Sequence, residues 1–310
     1  MTSAALILVL IAAFTHATWN YAAKRSNGGL PFVWVSSTFA LGLYGIAGAA
    51  YWIWQQPVLP AGIWWVIAGS GILKTSYALL LQRAYRHGDF SLVYPLTRGT
   101  APLLATFGAI VFFGERPSLL ALAGGALIIL GVFFITGGAD QLARVLRLTR
   151  SKPIPAAHPP VDAPAPAIAR PTQGIVYGLA CATCVGIYTV WDQRAVAHLH
   201  LPPVLYDGGT QLVLFLILSP FAWRRRDEVA AAWRDHRGKA AIVGLLSPVA
   251  YVLILYAMSF TPVSYIAPAR EISILIGALF GAHFLREADA PRRLLAAAGM
   301  VAGIIALALG

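Results

Sequence analysis

The sequence predicts an all-α integral membrane protein of ten transmembrane helices, built as two five-helix repeats inserted in opposite orientations. Three observations predict it: an apolar composition, apolar runs of span length, and a second half that repeats the first at one constant offset. Of 310 residues, 58% are apolar and 11% charged, the latter about half the share of a soluble domain. A chain this apolar would aggregate in water, which excludes an ordinary soluble enzyme and makes the lipid bilayer its partner.

The net charge of +11, from 23 Lys+Arg against 12 Asp+Glu, does not point to nucleic acid. The basic residues sit between apolar runs, where positive-inside sorting of membrane loops accounts for them. Two cysteines, Cys181 and Cys184, give neither a disulfide framework nor a zinc set; in mid-span they read as small packing residues. No P-loop, HExxH or nucleophile-elbow motif occurs, so neither a cofactor nor a metal is expected. The N-terminus has no basic stretch ahead of its apolar run and reads as a retained first span.

A crossing helix takes about 20 mainly apolar residues. Such runs occur at 3–23, 31–54, 62–82, 92–113, 119–138, 174–192, 203–223, 240–260, 263–284 and 293–309. Most connections are short. The exception, 139–172, carries Pro153, Pro155, Pro159, Pro160, Pro164, Pro166 and Pro171 among alanines. A segment of that composition cannot form a packed core and reads as a mobile linker. Its first part, with Arg144, Arg147 and Arg150, suits a short basic helix on the membrane surface.

The flanking parts repeat. A shift of 172 residues places Trp19 on Trp191, Pro31 on Pro203, Thr38 on Thr210, Arg98 on Arg270, Phe112 on Phe284, Glu115 on Glu287 and Gly131 on Gly303, without a gap. Glu occurs at only four positions (115, 228, 271 and 287), and two of them pair at this offset. Matches of rare polar residues carry more weight than matches of Leu or Ala, and they divide the chain into a first repeat over 1–138, the linker over 139–172 and a second repeat over 173–310.

Five spans per repeat force the second copy to insert upside down. Loop charge agrees: the odd-numbered loops carry 18 basic residues, and the even-numbered loops with the termini carry two (Arg116 and Arg194). Duplicated loops of opposite bias are what inversion requires. The count places the basic loops and the linker in the cytoplasm and both termini outside.

On these residues the sequence resembles the drug/metabolite transporter superfamily, specifically its ten-span EamA-type permeases. The resemblance rests on the repeat, on GDFSLVYPLTRGTAPLLATFGAIVFFGERPS (88–118) and its partner PVSYIAPAREISILIGALFGAHFLRE (262–287), and on HATWNYAAK (16–24). Gly114-Glu115 closes the fourth span in the family's manner, while the second copy reads Arg286-Glu287. The resemblance implies a basket of helices around a central cavity, with spans 5 and 10 as scaffold, and alternating-access transport that exports amino acids or other small metabolites. Gly124, Gly125 and Gly131 suit the scaffold, because small residues let membrane helices approach. Many relatives are drawn with both termini cytoplasmic, opposite to the charge count here.

Ionisable groups inside spans are costly, about 2.5–3.5 kcal/mol near the centre on insertion scales, so each needs a reason. Arg98 lies between Pro95 and Pro102, and Arg270, its repeat mate, lies beside Pro268. Prolines remove backbone hydrogen bonds, and a broken helix beside a cation suits an anion clamp; the alternative is a structural pair, with Arg270 neutralised by Glu271. Glu271 is also a proton-coupling candidate, since burial favours a neutral carboxyl, against a permanent salt bridge. Lys74 and Tyr77 share a helix face, as do Tyr94 and Arg98; Lys74 completes an anion site or pairs with an acid. His16, Trp19 and Asn20 form one face of span 1, and Tyr188, Trp191 and Asp192 the mirrored face of span 6. These clusters line a solute cavity or anchor the span ends at the interface. His16 is either a coupling group or a packing hydrogen-bonder, and Asp207, early in span 7, is a weaker candidate. Glu115 and Glu287 tie down neighbouring helix ends, where a carboxylate complements exposed amides.

Lys74, Arg98 and Arg270 against Asp192, Asp207 and Glu271 give a nearly balanced cavity, which favours zwitterions over dianions. A carrier of phosphorylated or phosphonate anions is the alternative, favoured if the three cations converge without acids. A membrane-embedded enzyme lacks a catalytic dyad or metal cluster here; the sequence does not fix the oligomeric state, and a monomer is compatible with it. Labelling tests the topology: a membrane-impermeant thiol reagent outside intact cells modifies Pro57→Cys and spares His158→Cys, and the reverse pattern overturns the orientation.

Overall fold

The computed structural model describes residues 1–24, 29–87, 90–135, 171–276 and 290–310. Its elements are α1 (Ser3–Lys24), α2 (Leu30–Gln55), α3 (Ile63–His87), α4 (Phe90–Phe113), α5 (Leu119–Ile135), α6 (Pro171–Gln193) with a π-helical turn (Arg194–His198), α7 (Pro203–Arg224), α8 (Arg226–Phe260), α9 (Val263–Ala269) and α10 (Ala290–Leu309). Among the described residues seven helices are long and apolar enough to cross a bilayer, and Leu119–Phe134 and Ala296–Leu309 are shorter apolar helices. The linker expected over 139–172 lies outside the described residues except for Pro171 and Thr172, which open α6. The surface helix expected around Arg144, Arg147 and Arg150, and Phe284 and Glu287, also lie outside them.

Local sequence sets the ends. Pro31 and Pro203, repeat mates, sit in the first turns of α2 and α7, where a missing N–H is no loss. Gly114 closes α4 in the left-handed region (φ 65°). Its N–H bonds to Ile110 O at 3.1 Å, and the N–H of Glu115 reaches back to Ala109 O at 3.4 Å. This is an αL cap, which favours glycine at the turn, and it delivers Glu115 immediately beyond the helix end.

Contacts obey a pseudo-two-fold. α1 packs along α8 as α3 packs along α6, and α2 along α8 as α3 along α7, while α2–α7, α4–α9 and α5–α10 pair each element with its own repeat mate. α5 and α10 meet through glycines: a Cβ on Gly124 would lie 2.6 Å from Gly303 O, and one on Gly131 would lie 3.0 Å from Ala296 O. The second contact is the first carried through the 172-residue offset. Both termini lie on one face, where the Met1 amino group donates to Ala308 O at 3.4 Å.

Three expectations are corrected. First, the helix break expected around Arg98 is absent: α4 runs uninterrupted through Pro95 and Pro102. Each proline removes one bond, and packing against neighbouring helices holds the helix together.

Second, the break expected beside both arginines occurs in the second repeat alone: span 9, read over 263–284, opens at Arg270–Glu271. Pro268 has no N–H to give, and the amides of Glu271 and Ser273 bond only three residues back, to Pro268 O at 3.1 Å and Arg270 O at 3.3 Å. Gly125 of α5 accommodates the proline ring, since a Cβ there would meet Pro268 Cγ at 3.3 Å.

Third, the basic loop ahead of span 8 is helical. α8 begins at Arg226 with Asp227 and Glu228 in its first turn, where carboxylates complement the helix dipole. Trp233 stacks on Phe39 at 5.4 Å.

The α5–α10 contact makes a prediction. Gly124→Ala sets a methyl against backbone on α10 and destabilises by about 1–3 kcal/mol. Gly299→Ala, whose Cβ meets nothing within 4 Å, leaves stability unchanged. Thermal unfolding in detergent checks the pair, and equal effects would contradict the packing.

Candidate functional site

Two polar clusters share the interior of the basket. In the first, Lys74 of α3 lies between two carboxylates of the second repeat: its Nζ is 2.8 Å from Asp207 Oδ1 on α7 and 3.2 Å from Asp192 Oδ2 on α6. It also donates to Thr210 Oγ1 at 3.1 Å. The carboxylates are further saturated. Asp192 accepts from Ser70 at 2.5 Å and Tyr206 at 2.6 Å on Oδ1, and from the Tyr251 hydroxyl on Oδ2. Asp207 accepts from the Tyr44 hydroxyl and from Thr210. Asp192 is fully buried and Asp207 nearly so. Charges out of water persist only when paired and hydrogen-bonded in this way. The cluster thereby ties α2, α3, α6, α7 and α8 together.

The second cluster lines a small cavity. His16 of α1, Arg98 of α4, Tyr251 of α8, and Arg270 and Ser273 at the break of span 9 form its polar wall, and Ala12, Ala13, Ala250 and Ile254 its apolar wall. Arg98 Nη1 lies 3.6 Å from Glu271 Oε1, and Arg98 Nη2 lies 3.3 Å from His16 Nε2. A guanidinium has no acceptor lone pair, so Arg98 donates and His16 Nε2 accepts, with the ring proton on Nδ1. The second Glu271 oxygen, Oε2, is buried without a hydrogen-bond partner. Arg270 differs from the other two cations. Among the described residues it has no carboxylate within ion-pair distance, and its guanidinium carbon lies 5.4 Å from the centre of the Tyr251 ring. Lys74 Nζ lies over the same ring at 4.4 Å. Tyr251 belongs to both clusters.

The sequence-derived candidates distribute unevenly over this geometry. Arg98, Arg270 and His16 meet at the cavity, with Glu271 paired to Arg98. Lys74 and Asp192 join each other, behind Tyr251. Tyr77 and Tyr188 contact edge to face at 6.3 Å. Trp191 does not face the cavity: its Nε1 donates to Val66 O at 2.9 Å, its ring rests on Gly69 of α3, and it is 39% exposed. Asn20 turns its amide back to His16 O at 3.0 Å, and Trp19 meets the His16 ring edge-on at 4.7 Å. Pro268 is buried at the helix break. The side chains of Tyr94 and Pro95 lie outside the described residues.

Glu115 sits apart from this cavity. Its Oε1 accepts from the Val263 amide at 2.9 Å and from Gln193 Nε2 at 3.0 Å, and its Oε2 accepts from the Ser264 amide at 2.9 Å. It joins the end of α4 to the first turn of α9 and the end of α6.

Tyr44, Ser70, Tyr206, Thr210, Tyr251 and Ser273 were not legible as site residues. The repeat offset opposes Tyr44, Tyr206 and Tyr251 with Leu216, Trp34 and Leu79, so the symmetry that finds Arg98 and Arg270 passes over them. Thr210 does carry the signal, as the mate of Thr38.

The model of the EamA-like transporter family matches residues 3–137 and again 172–309. The chain belongs to this family. A curated relative described as "Uncharacterized transporter in cobO 3'region", from Sinorhizobium sp, is 35% identical over 91 residues, which are 29% of this chain and 59% of that protein. The similarity therefore spans less than two thirds of the relative. A solved structure described only as "Crystal structure of protein" superposes with a TM-score of 0.70 over 100% of this chain and 99% of that one, at 16% identity, which shows the shared fold. This EamA transporter is a multi-pass membrane protein.

The Lys74 cluster makes a prediction for this transporter. Lys74→Met strands two buried carboxylates and destabilises by about 3–5 kcal/mol. Asp207→Asn loses less, because Asp192 still neutralises the ammonium. Unfolding in detergent measures both, and a silent Lys74→Met would contradict the arrangement.

Proposed function

We propose that this EamA transporter is a secondary-active carrier that exports small zwitterionic metabolites, amino acids foremost, by alternating access. Arg270 is the anchor for the solute's carboxylate. One observation carries the reading: Arg270 presents a guanidinium at the cavity with no carboxylate partner among the described residues, whereas Lys74 has two and Arg98 has one. Guanidinium forks recognise carboxylates bidentately, and an unpaired cation at membrane depth marks a solute path. Arg270 follows Pro268 at the break in the fourth helix of the second repeat, and broken helices are where carriers built of inverted repeats hold their solutes.

Charge balance supports a zwitterion over a dianion. Three cations (Lys74, Arg98, Arg270) face three carboxylates (Asp192, Asp207, Glu271), and the acids lie among the cations. A solute neutral overall keeps that balance, and a phosphate dianion does not. The outward direction rests on the family resemblance.

Proton coupling is assigned to His16 and Glu271. A proton arriving at His16 Nε2 would abolish its acceptor role toward Arg98 and set two cations 3.3 Å apart. Arg98 would then be driven toward Glu271, the carboxyl with an unused oxygen. Asn20 and Trp19 hold the His16 end of α1. Glu115 fastens the ends of α4 and α6 to the start of α9; the family resemblance supports a bacterial inner membrane, and the excess of basic residues in the odd-numbered loops supports termini on its outer side.

Thermal stability of the purified protein against a metabolite panel tests the reading, because a ligand that binds the folded state stabilises it by mass action, about 2.7 kcal/mol at a hundred times Kd. Amino acids raise the melting temperature of the wild type and leave Arg270→Ala unmoved. A rise with phosphorylated or phosphonate compounds alone would replace this reading with the anion carrier, and equal responses of both proteins would place the solute elsewhere.

A further inference from the structure

The tyrosine shared by the two clusters does more than line a wall. Tyr251 touches both the saturated cluster and the guanidinium that has no carboxylate partner among the described residues: its hydroxyl donates to Asp192 Oδ2, and Arg270 and Lys74 both lie over its ring. α8, which carries it, packs along α1 and α2, while Asp192 and Lys74 belong to α6 and α3. The bond from Tyr251 to Asp192 therefore fastens α8 to α6 and, through Lys74, to α3. Asp192 keeps Ser70, Tyr206 and Lys74 as partners when that bond opens. Of the donors on this carboxylate, Tyr251 is the one that also lines the cavity.

A cation over the face of a phenol is held by the ring's electrons and draws density from the hydroxyl, which makes the O–H a stronger donor. While Arg270 is unpaired it strengthens the bond to Asp192. A carboxylate on Arg270 neutralises that cation and weakens the bond.

We infer that Tyr251 is the positioning residue that couples solute binding to movement: it locks the empty carrier through Asp192, and a carboxylate solute on Arg270 releases the lock. The inference rests on the assignment of Arg270 as the solute's anchor. It makes Tyr251 a residue that sets obligatory exchange, since the empty carrier is held and the loaded one is free to interconvert.

Tyr251→Phe is the incisive variant, because it keeps the ring and its contact with both cations and removes only the hydroxyl. Full-length protein in liposomes is loaded with a radiolabelled amino-acid hydrolysate, and net efflux is compared with exchange. In the same variant, spin labels on Trp65→Cys of α3 and Phe260→Cys of α8, both exposed positions, report the separation of these helices. Loss of a hydrogen bond to a charged acceptor is worth roughly tenfold or more. Tyr251→Phe is expected to bind the hydrolysate more tightly than the wild type, since the solute no longer has to weaken the bond to Asp192, to raise the ratio of net efflux to exchange about tenfold, and to show, without solute, the α3–α8 distances that the wild type shows with it. An unchanged ratio would overturn the inference, as would affinity lost in step with flux, which would make Tyr251 a solute contact. If the hydrolysate neither stabilises nor exchanges with the wild type, the amino-acid reading falls. The solute-free distances then decide: a second population in Tyr251→Phe supports the lock, and a distribution identical to the wild type overturns it.

Discussion

An ammonium group inside an apolar bundle has to be neutralised, and Lys74 is neutralised from the other repeat. Two carboxylates reach it from α6 and α7 at 3.2 and 2.8 Å, and hydroxyls from α2, α3, α7 and α8 occupy the oxygens that remain. The desolvation of three charges is tolerable only because every partner is in place at once. That demand fixes how the halves of the basket meet. It is also why the centre of a symmetric architecture is chemically one-sided: the repeat mate of Lys74 is Leu246, and that of Asp207 is Val35.

The scaffold keeps the symmetry that the centre gives up. Glycines on α5 and α10 make the same close approach twice, once through Gly124 and Gly303 and once through Gly131 and Ala296. Gly125 leaves room for Pro268, so the rigid α5–α10 pair backs the one helix that is broken. Prolines occur near both arginines, yet only span 9 opens. The break holds Arg270 and Glu271 as neighbours with different fates: the acid pairs with Arg98, and the base is left facing the cavity.

Much of this architecture is written in the sequence because it depends on signals that survive averaging. Apolar run length, a single repeat offset and loop charge each integrate over many residues, and together they give ten spans in two inverted repeats. Glu115 and Arg270 stand out for a related reason, as rare polar residues recurring at that offset. Tyr251, Tyr206 and Tyr44 do not, because a tyrosine in an apolar span looks like packing until its hydroxyl is seen to meet a carboxylate. Trp191 misleads in the opposite sense. It shares a helix face with Asp192 in the sequence, yet its ring turns outward onto Gly69 of α3. The break at Arg270 rather than Arg98 was likewise out of reach, since a proline removes one hydrogen bond in either span and the surrounding packing decides whether the helix opens.

The central claim is that three partly buried cations and three buried carboxylates balance with Arg270 left to be paired by the solute. Calorimetry on the wild-type protein with three compounds of one side chain tests it most directly: an amino acid, the amine that lacks its carboxylate, and the carboxylic acid that lacks its ammonium. The account predicts that the amino acid binds more tightly than either truncated compound, and that the amine, with nothing to offer Arg270, binds least. Tighter binding of the amine, or of a phosphate ester over all three, would contradict it.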